Sequence, residues 1–367
     1  MELKTDFPLK AFNTFHVEAA AECYVRFDAE NEIAEFLSRN PFGEQRHLVL
    51  GGGSNLLFVN DIAGIVLHPL LKGIRVAEAD RRHIWIRAMA GENWDDLVAF
   101  AVASRCGGIE NLSLIPGSVG ASAVQNIGAY GVEVKDVIDS VEAISMESRE
   151  KVIFSPLDCG FGYRSSHFKG LWANRFIITA VVFRLSRQPE FVLDYPGVKA
   201  AVEALGAIGL ETIRQAIISI RQNKLPDPAR VGNAGSFFKN PVIDGNTLNS
   251  LRRRFPDLPY FPQGEDQFKL PAGWLIERGG WKGKRAGRAA VHDRQALVLV
   301  NLGGATGREI LELSEQVKGD VYDRFGIELE REVLVVPQPG CASCRREKYE
   351  HACQPSGMGG RVDGPLA

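Results

Sequence analysis

The amino-acid sequence predicts an α+β fold with more than one subdomain. Strand and helix patterns mix in both halves of the chain, without the regular alternation that a doubly wound parallel sheet requires. The length of 367 residues is sufficient for two or three domains. The hydrophobic fraction of 45% is that of a globular protein and is too high for a disordered chain.

The first half of the chain is rich in strands. Alternating or continuous apolar runs predict strands at residues 47–50, 64–70, 83–91, 151–154 and 175–186. The segment NWDDLVAFAVASRCGG is predicted to form a helix, because its apolar residues recur at helical spacing. Asn93 is the expected N-cap of this helix, and Gly107 is the residue expected to end it.

The second half contains more helices. Helical spacing predicts them at residues 198–206, 212–222, 247–255, 271–279 and 308–325. Pro271 is suited to a first helical turn, and Thr306 and Gly326 are typical residues for the start and end of the long last helix. Apolar runs at residues 296–301 and 329–336 predict two further strands.

The composition excludes several classes of protein. A formal net charge of -2 argues against a protein that binds nucleic acid by neutralising phosphates. No apolar run reaches the roughly 18 residues of a membrane-spanning helix. The N-terminal segment MELKTDFPLKAFNTF lacks the apolar core of a signal peptide. We therefore expect a cytoplasmic protein with neither nucleic-acid nor membrane partners. A monomer is our expectation for its oligomeric state, although none of these observations bears on it.

A glycine-rich loop, GGGSN, follows the first of these predicted strands. Its three glycines expose consecutive backbone N–H groups and its serine and asparagine add side-chain donors, an arrangement that can hold a diphosphate. A leucine stands where the third glycine of a dinucleotide-binding G-x-G-x-x-G motif belongs, so a Rossmann site is not supported. An ordinary tight turn is the alternative. The predicted phosphate-binding residues are Gly51, Gly52, Gly53, Ser54 and Asn55.

A second loop, IPGSVGASAVQNIGAYG at residues 115–131, strengthens the case for a bound ligand. Almost every residue in it is small or carries an amide. A chain with so little bulk is suited to lying against a large planar or phosphorylated molecule. The alternative is a glycine-rich connection between subdomains, which two such loops in one chain make less convincing.

The order of motifs along the chain resembles the UDP-N-acetylenolpyruvoylglucosamine reductase (MurB) family. The motifs are GGGSN, PGSVGASAVQNIGAYG, FGYRSSHF, KLPDPARVGNAGSFFKNP, KLPAGWLIE, AAVHDRQALVLVN and LEREV, over about residues 5–337. The resemblance implies the FAD-binding fold of vanillyl-alcohol oxidase, with two subdomains, followed by an α+β substrate domain. The segments FGYR and DYP resemble the type I branch, which carries an extra loop and a tyrosine that covers the substrate.

The resemblance also implies domain limits and a reaction. Residues 1–190 would bind FAD and residues 191–337 would bind substrate. The resemblance does not extend to residues 338–367, which composition alone predicts to be a disordered tail. NADPH would reduce FAD, and flavin N5 would then deliver hydride to C3 of UDP-N-acetylglucosamine enolpyruvate. A proton delivered to C2 would complete UDP-N-acetylmuramate, a precursor of peptidoglycan.

The segment GNAGSFFKNP contains a serine, Ser236, without an obvious base beside it. A serine nucleophile needs such a base, whereas a serine that donates a proton does not. The family motif implies that Ser236 protonates C2, and the strongly basic enolate carbon supplies the driving force. The alternative role is a hydroxyl that satisfies a buried backbone group in a turn.

Two charged residues match the family's other catalytic positions. Arg164 in GYRSS would clamp the substrate carboxylate through paired hydrogen bonds. Glu332 in LEREV would be repelled by that carboxylate unless it is protonated or paired with a cation. We therefore expect it to be either protonated, donating to the enolate, or held by Arg164. Without the resemblance, a surface cation and an exposed strand residue would be the simpler interpretations.

Several polar residues carry over as substrate binders. A lysine would meet the UDP diphosphate, two amides would bind sugar or diphosphate, one tyrosine would orient the substrate, and another would close over it. These residues are Lys224, Asn240, Gln295, Tyr163 and Tyr195, respectively. Many type I members have a further tyrosine where this chain has Phe261, so the substrate contact is either lost or made by Tyr260. His292 is interpreted as structural.

The flavin would lie between the two glycine loops, with the isoalloxazine near residues 125–129. The residues expected in the second loop are Pro116, Gly117, Ser118, Gly120, Ser122, Gln125, Asn126 and Gly128. Some relatives of this fold bind FAD covalently through a histidine. His16 and His68 are the early candidates, and neither lies in a glycine loop, so we predict non-covalent FAD.

The cysteines have two interpretations. Cys23, Cys106 and Cys159 are expected to be packed thiols. In the tail, CASCRREKYEHAC places Cys341, Cys344, His351 and Cys353 at a spacing that would allow tetrahedral zinc. The segment is short and has little apolar content around it, so the favoured interpretation is a disordered appendage with no metal.

Two rival functions remain compatible with this order of motifs. One is a flavoprotein oxidase of the same fold, which would use O₂ directly. The other is a non-catalytic protein that binds UDP-sugars. The presence of all three catalytic candidates speaks against both.

Overall fold

A computed structural model describes residues 1–39 and 47–337 of the chain. The strands are β1 (Glu2–Pro8), β2 (Ala20–Phe27), β3 (His47–Val49), β4 (Leu56–Phe58), β5 (Ile62–Pro69), β6 (Ile74–Ala79), β7 (His83–Met89), β8 (Gly128–Ala129), β9 (Val132–Glu133), β10 (Ile138–Ser145), β11 (Lys151–Phe154), β12 (Phe176–Ser186), β13 (Gly232–Ser236), β14 (Val242–Asp244), β15 (Phe261–Pro262), β16 (Gln267–Lys269), β17 (Arg285–Ala286), β18 (Ala289–Val291), β19 (Val298–Asn301) and β20 (Leu334–Val336).

The helices lie among these strands in both halves. They are α1 (Glu30–Arg39), α2 (Trp94–Ala103), α3 (Val119–Val124), α4 (Val198–Glu203), α5 (Leu210–Lys224), α6 (Gly245–Arg254), α7 (Ala272–Arg278) and α8 (Gly307–Phe325). Their distribution confirms the predicted α+β class. Within the described residues, no helix is both long and apolar enough to cross a membrane.

Two sheets make up the first half. One has the order β1-β2-β5-β3, with β2, β5 and β3 parallel and β1 antiparallel to β2. The other is antiparallel, with the order β11-β10-β12-β7-β6. Helices α2 and α3 pack on this second sheet through a buried core that includes Trp94, Leu97 and Phe183. The first glycine loop connects β3 to β4 and the second contains α3, so both loops lie beside these sheets.

The second half contains the antiparallel sheet β13-β19-β18-β17 and the small sheet β14-β16-β15. Its core is continuous with the first half, since Leu9, Phe15 and Leu50 belong to the same buried cluster as residues of α7 and α8. The last strand, β20, also returns to the first half and pairs in parallel with β4. The predicted limits at residues 190 and 337 remain a prediction.

Helix ends agree with the sequence in most cases. Asn93 caps α2 by accepting hydrogen bonds from the two following acidic residues, and Thr306 forms a capping box with Glu309 at the start of α8. Gly326 ends α8 with a φ of 67°. Pro271 directly precedes α7.

The expected end of α2 at Gly107 is wrong. The helix ends at Ala103, and Arg105 takes the left-handed conformation, with a φ of 55°. Gly107 instead exchanges both of its backbone hydrogen bonds with Ser186, at 2.9 and 3.0 Å. Gly107 therefore pairs with the end of β12 and does not end the helix, although its spacing from the helix favoured that role.

The strand predicted over residues 329–336 is also wrong over most of its length, because regular pairing is confined to β20. The preceding residues instead bond to the segment that follows Ser236. The amide of Glu332 donates to the carbonyl of Phe237 at 2.9 Å, and that of Lys239 donates to the carbonyl of Glu330 at 2.8 Å. This isolated antiparallel bridge between Phe238 and Arg331 places Glu332 beside the serine segment. The thiols of Cys23, Cys106 and Cys159 are buried, as expected.

Candidate active site

A cavity of about 640 Å³ lies between the two glycine loops. This volume is typical of sites for small molecules and cofactors. Eight of the predicted cofactor-binding residues line it, namely Gly51, Gly52, Gly53, Ser54, Asn55, Ser118, Gly120 and Gln125. The structure therefore brings the two loops, separated in sequence, around one space.

The two loops approach each other so closely that side chains are excluded. A Cβ atom on Gly52 would lie 2.8 Å from Cα of Gly117, and one on Gly53 would lie 2.0 Å from the carbonyl oxygen of Phe12. Gly53 also has a φ of 62°, which other residues rarely adopt. Ser54 closes the junction by donating a hydrogen bond to the carbonyl of Pro116 at 2.9 Å. These features make a cradle of backbone N–H groups that fits a dinucleotide diphosphate.

His68 supports this cradle from behind. It is buried, its Nδ1 lies 2.8 Å from the hydroxyl of Tyr24, and it also hydrogen-bonds the backbone of Gly51. Burial lowers the pKa of His68 to about 4, so the ring is neutral at physiological pH. These contacts favour a structural role for His68.

Three predicted cofactor residues do not line the larger cavity or the smaller one described next. Gly117 lies behind the first loop, where its Cα faces Gly52. The hydroxyl of Ser122 donates to the carbonyl of Val119 within its own helix. The side chain of Asn126 donates to Glu133 and to the carbonyl of Gly162. They therefore build the loop rather than face the cavity.

A second cavity, of about 130 Å³, adjoins the first. Ser54, Asn55 and Gln125 line both cavities, so the two are neighbours at this wall. The smaller cavity is lined by all three predicted catalytic residues, Ser236, Arg164 and Glu332, and by the predicted flavin-binding residues Pro116 and Gly128. Residues far apart in sequence thus converge on one small space beside the larger cavity.

Arg164 and Glu332 form an ion pair. Nε of Arg164 lies 3.0 Å from Oε1 of Glu332, and only 17% and 14% of the two side chains are exposed. The guanidinium also donates to the carbonyl of Gly128. Arg164 has a φ of 54°, an uncommon conformation for a residue with a side chain. The interpretation of these residues as a surface cation and an exposed strand residue is therefore wrong.

Burial raises the pKa of Glu332, while Arg164, Lys169 and Lys239 work in the opposite direction. The carboxyl is thus easier to protonate than an ordinary glutamate, even though a cation lies beside it. The ammonium group of Lys169 lies 3.4 and 3.5 Å from the carbonyls of Arg164 and Glu332, and burial lowers its own pKa.

Ser236 is the last residue of β13 and pairs with Val298 of β19. Gly235 before it has a φ of 67°, and Phe237 after it is fully buried. These neighbours fix the serine between a sharp backbone turn and the core. In the described part of the chain, no basic side chain is hydrogen-bonded to its hydroxyl.

The predicted substrate binders surround the site without lining either cavity. Tyr163 lies beside Arg164, with the guanidinium 5.2 Å from its ring centre, and hydrogen-bonds Asn240. Asn240 also accepts a hydrogen bond from the amide of Ala272 at the start of α7, at 2.9 Å. This pair forms a polar cluster behind the arginine.

The other predicted binders lie further out. Lys224 is exposed at the C-terminal end of α5, and Tyr195 is 45% exposed and packs edge-on against Tyr130. Gln295 lies near Gly273 of α7, since a Cβ atom there would be 3.1 Å from its Oε1.

Tyr260 packs against the core and under Arg252, whereas Phe261 is 45% exposed. His292 accepts backbone hydrogen bonds from Arg294 and Gln295, as in a structural turn. The four proposed zinc ligands lie outside the described residues.

Two residues of the smaller cavity escaped the sequence analysis. Thr14 lines it and joins the two halves, because its amide donates to the carbonyl of Gly53 and its carbonyl accepts from the amide of Asn233. Arg221 of α5 also lines it, and burial lowers its pKa. A basic residue on an amphipathic helix normally indicates a solvated face, so no sequence signal distinguished Arg221.

Comparisons with known proteins agree with this geometry. A family model described as the C-terminal domain of UDP-N-acetylenolpyruvoylglucosamine reductase matches residues 227–336, and one described as an FAD binding domain matches residues 21–150.

Among curated proteins, the reductase of that name from Flavobacterium johnsoniae is 43% identical over 339 residues, covering 92% of this chain and 100% of the relative. The reductase from Burkholderia cenocepacia is 46% identical over 337 residues, covering 90% and 96% of the two chains.

A solved structure is also similar. The crystal structure of UDP-N-acetylenolpyruvylglucosamine reductase (MurB) from Thermus caldophilus is 25% identical, with a TM-score of 0.63. The match covers 92% of this chain and 98% of that one. The similarity therefore extends over both halves of the chain.

Proposed function

The chain belongs to the UDP-N-acetylenolpyruvoylglucosamine reductase family, and from this premise we propose how it performs the reaction. In this proposal it reduces UDP-N-acetylglucosamine enolpyruvate to UDP-N-acetylmuramate, with electrons from NADPH that pass through non-covalently bound FAD. The observation that carries the proposal is the convergence of Ser236, Arg164 and Glu332 on a cavity that adjoins the glycine-lined one.

The larger cavity suits FAD in its chemistry as well as its volume. Its glycine loops offer backbone N–H groups to the diphosphate, and the side-chain amides of Asn55 and Gln125 stand at the wall shared with the smaller cavity. When bound, the flavin supplies the transfer of hydride from NADPH to C3 of the enolpyruvyl group. The contacts of His68 with Tyr24 and Gly51 support binding without a covalent bond.

Ser236 is proposed to give its proton to C2. The enolate carbon is a strong base and can accept a proton even from a weak acid such as a serine hydroxyl. The hydroxyl therefore needs accurate positioning more than activation by a neighbouring base. The fixed place of Ser236 between Gly235 and buried Phe237 favours such a held donor. The absence of a hydrogen-bonded base in the described residues fits the same role.

Arg164 and Glu332 are proposed to stabilise the enolate. A guanidinium aimed at the substrate carboxylate acts where negative charge develops, which lowers the barrier by several kcal/mol in comparable sites. The arriving carboxylate would compete with Glu332 for Arg164. Because burial raises the pKa of Glu332, this residue can take up a proton at that moment and donate a hydrogen bond to the enolate.

The remaining binders are proposed to hold the nucleotide and sugar outside the smaller cavity, which we call the reaction cavity. Lys224 is exposed at the end of α5, where its charge can meet a diphosphate, and exposed Tyr195 can close over the substrate. Tyr163 and Asn240 would orient the enolpyruvyl end through their contact beside Arg164. Gln295 would bind the sugar or diphosphate.

An anaerobic titration followed by absorption spectroscopy tests the proposal. The purified protein should be yellow, and NADPH should bleach the flavin bands without substrate. Addition of the enolpyruvyl sugar nucleotide should then restore them. A colourless protein that FAD fails to reconstitute would contradict the proposal, and so would a reduced flavin that air reoxidises faster than the sugar nucleotide does.

A further inference from the structure

Leu114 precedes the second glycine loop and is held in an unusual backbone conformation. Its φ of 58° lies in the left-handed region, which residues with a side chain rarely adopt. Both of its backbone polar groups are engaged by charged side chains. Its amide donates to Oδ1 of Asp95 at 2.5 Å, and its carbonyl accepts from Nε of Arg221 at 3.2 Å.

Asp95 is itself held by a second arginine. The guanidinium of Arg214 donates to both oxygens of the Asp95 carboxylate, at 2.7 and 2.8 Å. Such paired contacts fix the plane of the carboxylate as well as its distance. Burial works to raise the pKa of Asp95, but the hydrogen bonds from Arg214 and from the Leu114 amide outweigh it and lower the pKa.

The two arginines belong to one face of one helix. Arg214 and Arg221 are seven residues apart in α5, a separation that brings side chains to the same side after two turns. One arginine therefore reaches the Leu114 amide through Asp95, and the other binds the Leu114 carbonyl directly. Arg221 is the member that lines the reaction cavity, together with Ser236, Arg164 and Glu332.

Arg221 is available for an anion. In the part of the chain that the structure describes, no carboxylate lies within ion-pair distance of its guanidinium, whereas Glu332 neutralises Arg164. Its other protein partner is the hydroxyl of Tyr130. A half-buried cation that has no carboxylate partner and lies on the wall of a cavity proposed for an anionic substrate needs accurate placement to act there.

We propose that Asp95 and Arg214 are positioning residues, which fix the Leu114 turn and through its carbonyl hold Arg221 at the wall of the reaction cavity. The inference rests on the proposed function, since it assigns these residues an effect on the same reaction. Neither residue lines either cavity. Their effect is therefore transmitted through Leu114 and Arg221.

The chain offers a matched control in the pair of Arg87 and Glu142. This pair has the same two-point geometry, at 2.8 and 2.7 Å, and its arginine is 17% exposed, as Arg214 is. It lies on the five-stranded sheet, and neither member lines a cavity. Glu142 also pairs with Lys151, so Glu142→Ala removes at least as many ion pairs as Asp95→Ala does, without touching Leu114.

The test compares Asp95→Ala, Asp95→Asn, Arg221→Gln, Asp95→Ala/Arg221→Gln and Glu142→Ala as FAD-loaded enzymes. Asp95→Ala should lower kcat/KM for the enolpyruvyl substrate by about tenfold to a hundredfold, as expected for a displaced catalytic-site group. Asp95→Asn keeps an acceptor for the Leu114 amide and should recover part of the loss. Glu142→Ala should lower the melting temperature similarly and leave kcat/KM unchanged.

The double variant tests whether Asp95 acts on kcat/KM through Arg221, because in that case the effects of the two substitutions are not additive in free energy. In the Arg221→Gln background, Asp95→Ala should have no further effect on kcat/KM. Effects that multiply, or an Asp95→Ala enzyme that matches Glu142→Ala in kcat/KM, would overturn the inference.

Hydrogen exchange of the Leu114 amide gives a readout independent of turnover. It should accelerate in Asp95→Ala and remain native in Glu142→Ala. Unchanged exchange in Asp95→Ala would overturn the inference as well, whereas a wild-type enzyme without turnover would instead refute the proposed function.

Discussion

Replacement of Arg164 by methionine tests how the buried carboxyl of Glu332 is kept charged. The two side chains are 3.0 Å apart and are mostly shielded from water. Burial already raises the pKa of Glu332 against the opposing effect of Arg164. Without its nearest cation, the carboxyl should hold its proton to a higher pH, because its burial is then opposed only by Lys169 and Lys239.

The expected loss of stability depends on pH. An unfolded glutamate has a pKa of 4.5. If the folded carboxyl stays protonated above this pH, the free energy of unfolding falls by about 1.4 kcal/mol for each pH unit. In this range the unfolded variant has released its proton and the folded variant keeps it, so its free energy of unfolding falls as pH rises. Between pH 4.5 and about pH 7 the loss reaches at most about 3 kcal/mol.

A second contribution does not vary with pH. The hydrogen bond from Arg164 to the carbonyl of Gly128 is lost too, at about 1 kcal/mol. Urea unfolding of Arg164→Met and wild type, at one FAD concentration and at several pH values from 5 to 8, separates the two contributions. Arg164→Met/Glu332→Gln has no titrating carboxyl and should show only the constant loss. A destabilisation by Arg164→Met that is equal at pH 5 and pH 8 would refute the reasoning.

Two other changes test the glycine cradle. Gly53→Ala places a Cβ atom 2.0 Å from the Phe12 carbonyl oxygen at a φ of 62°, so the purified variant should retain little FAD. The ratio of the absorbance at 450 nm, a typical flavin band, to the absorbance of the protein measures the FAD retained. Full retention would contradict the account. His68→Gln should flatten the acid limb of the stability curve. Because burial lowers the pKa of His68 to about 4 from 6.5, the unfolded state gains a proton first, and wild type should lose up to about 3 kcal/mol as pH falls through this range. An equally steep loss in the variant, measured by urea unfolding, would assign the acid limb to other groups.

The sequence was sufficient for the glycine loops and for the three residues that converge on the smaller cavity. Clusters of glycine indicate positions where two backbone segments approach closely, and such clusters can be recognised in the sequence itself. The match of Ser236, Arg164 and Glu332 came from ordered motifs, which carry information about spatial proximity that periodicity lacks.

What the sequence could not supply depends on contacts between distant segments. Gly107 fits the spacing of a helix end, yet pairing with Ser186 gives it another role. Glu332 has the neighbours of a strand residue, but bonds to the segment after Ser236 take it out of the strand. Arg221 resembles any solvated helix cation until α5 docks against Leu114. Asn126 has the chemistry of a ligand contact, but nearby protein groups already satisfy its amide.

The central claim is that Ser236 donates the proton to C2, and anaerobic stopped-flow absorption of Ser236→Ala tests it most directly. Ser314→Ala, which alters a buried serine that bonds within its own helix, is the control. Reduction of the flavin by NADPH should be close to the wild-type rate in both variants. Its reoxidation by the enolpyruvyl substrate should slow by about 100-fold to 10,000-fold in Ser236→Ala alone. Equal slowing of both half-reactions, or reoxidation at the wild-type rate, would contradict the assignment.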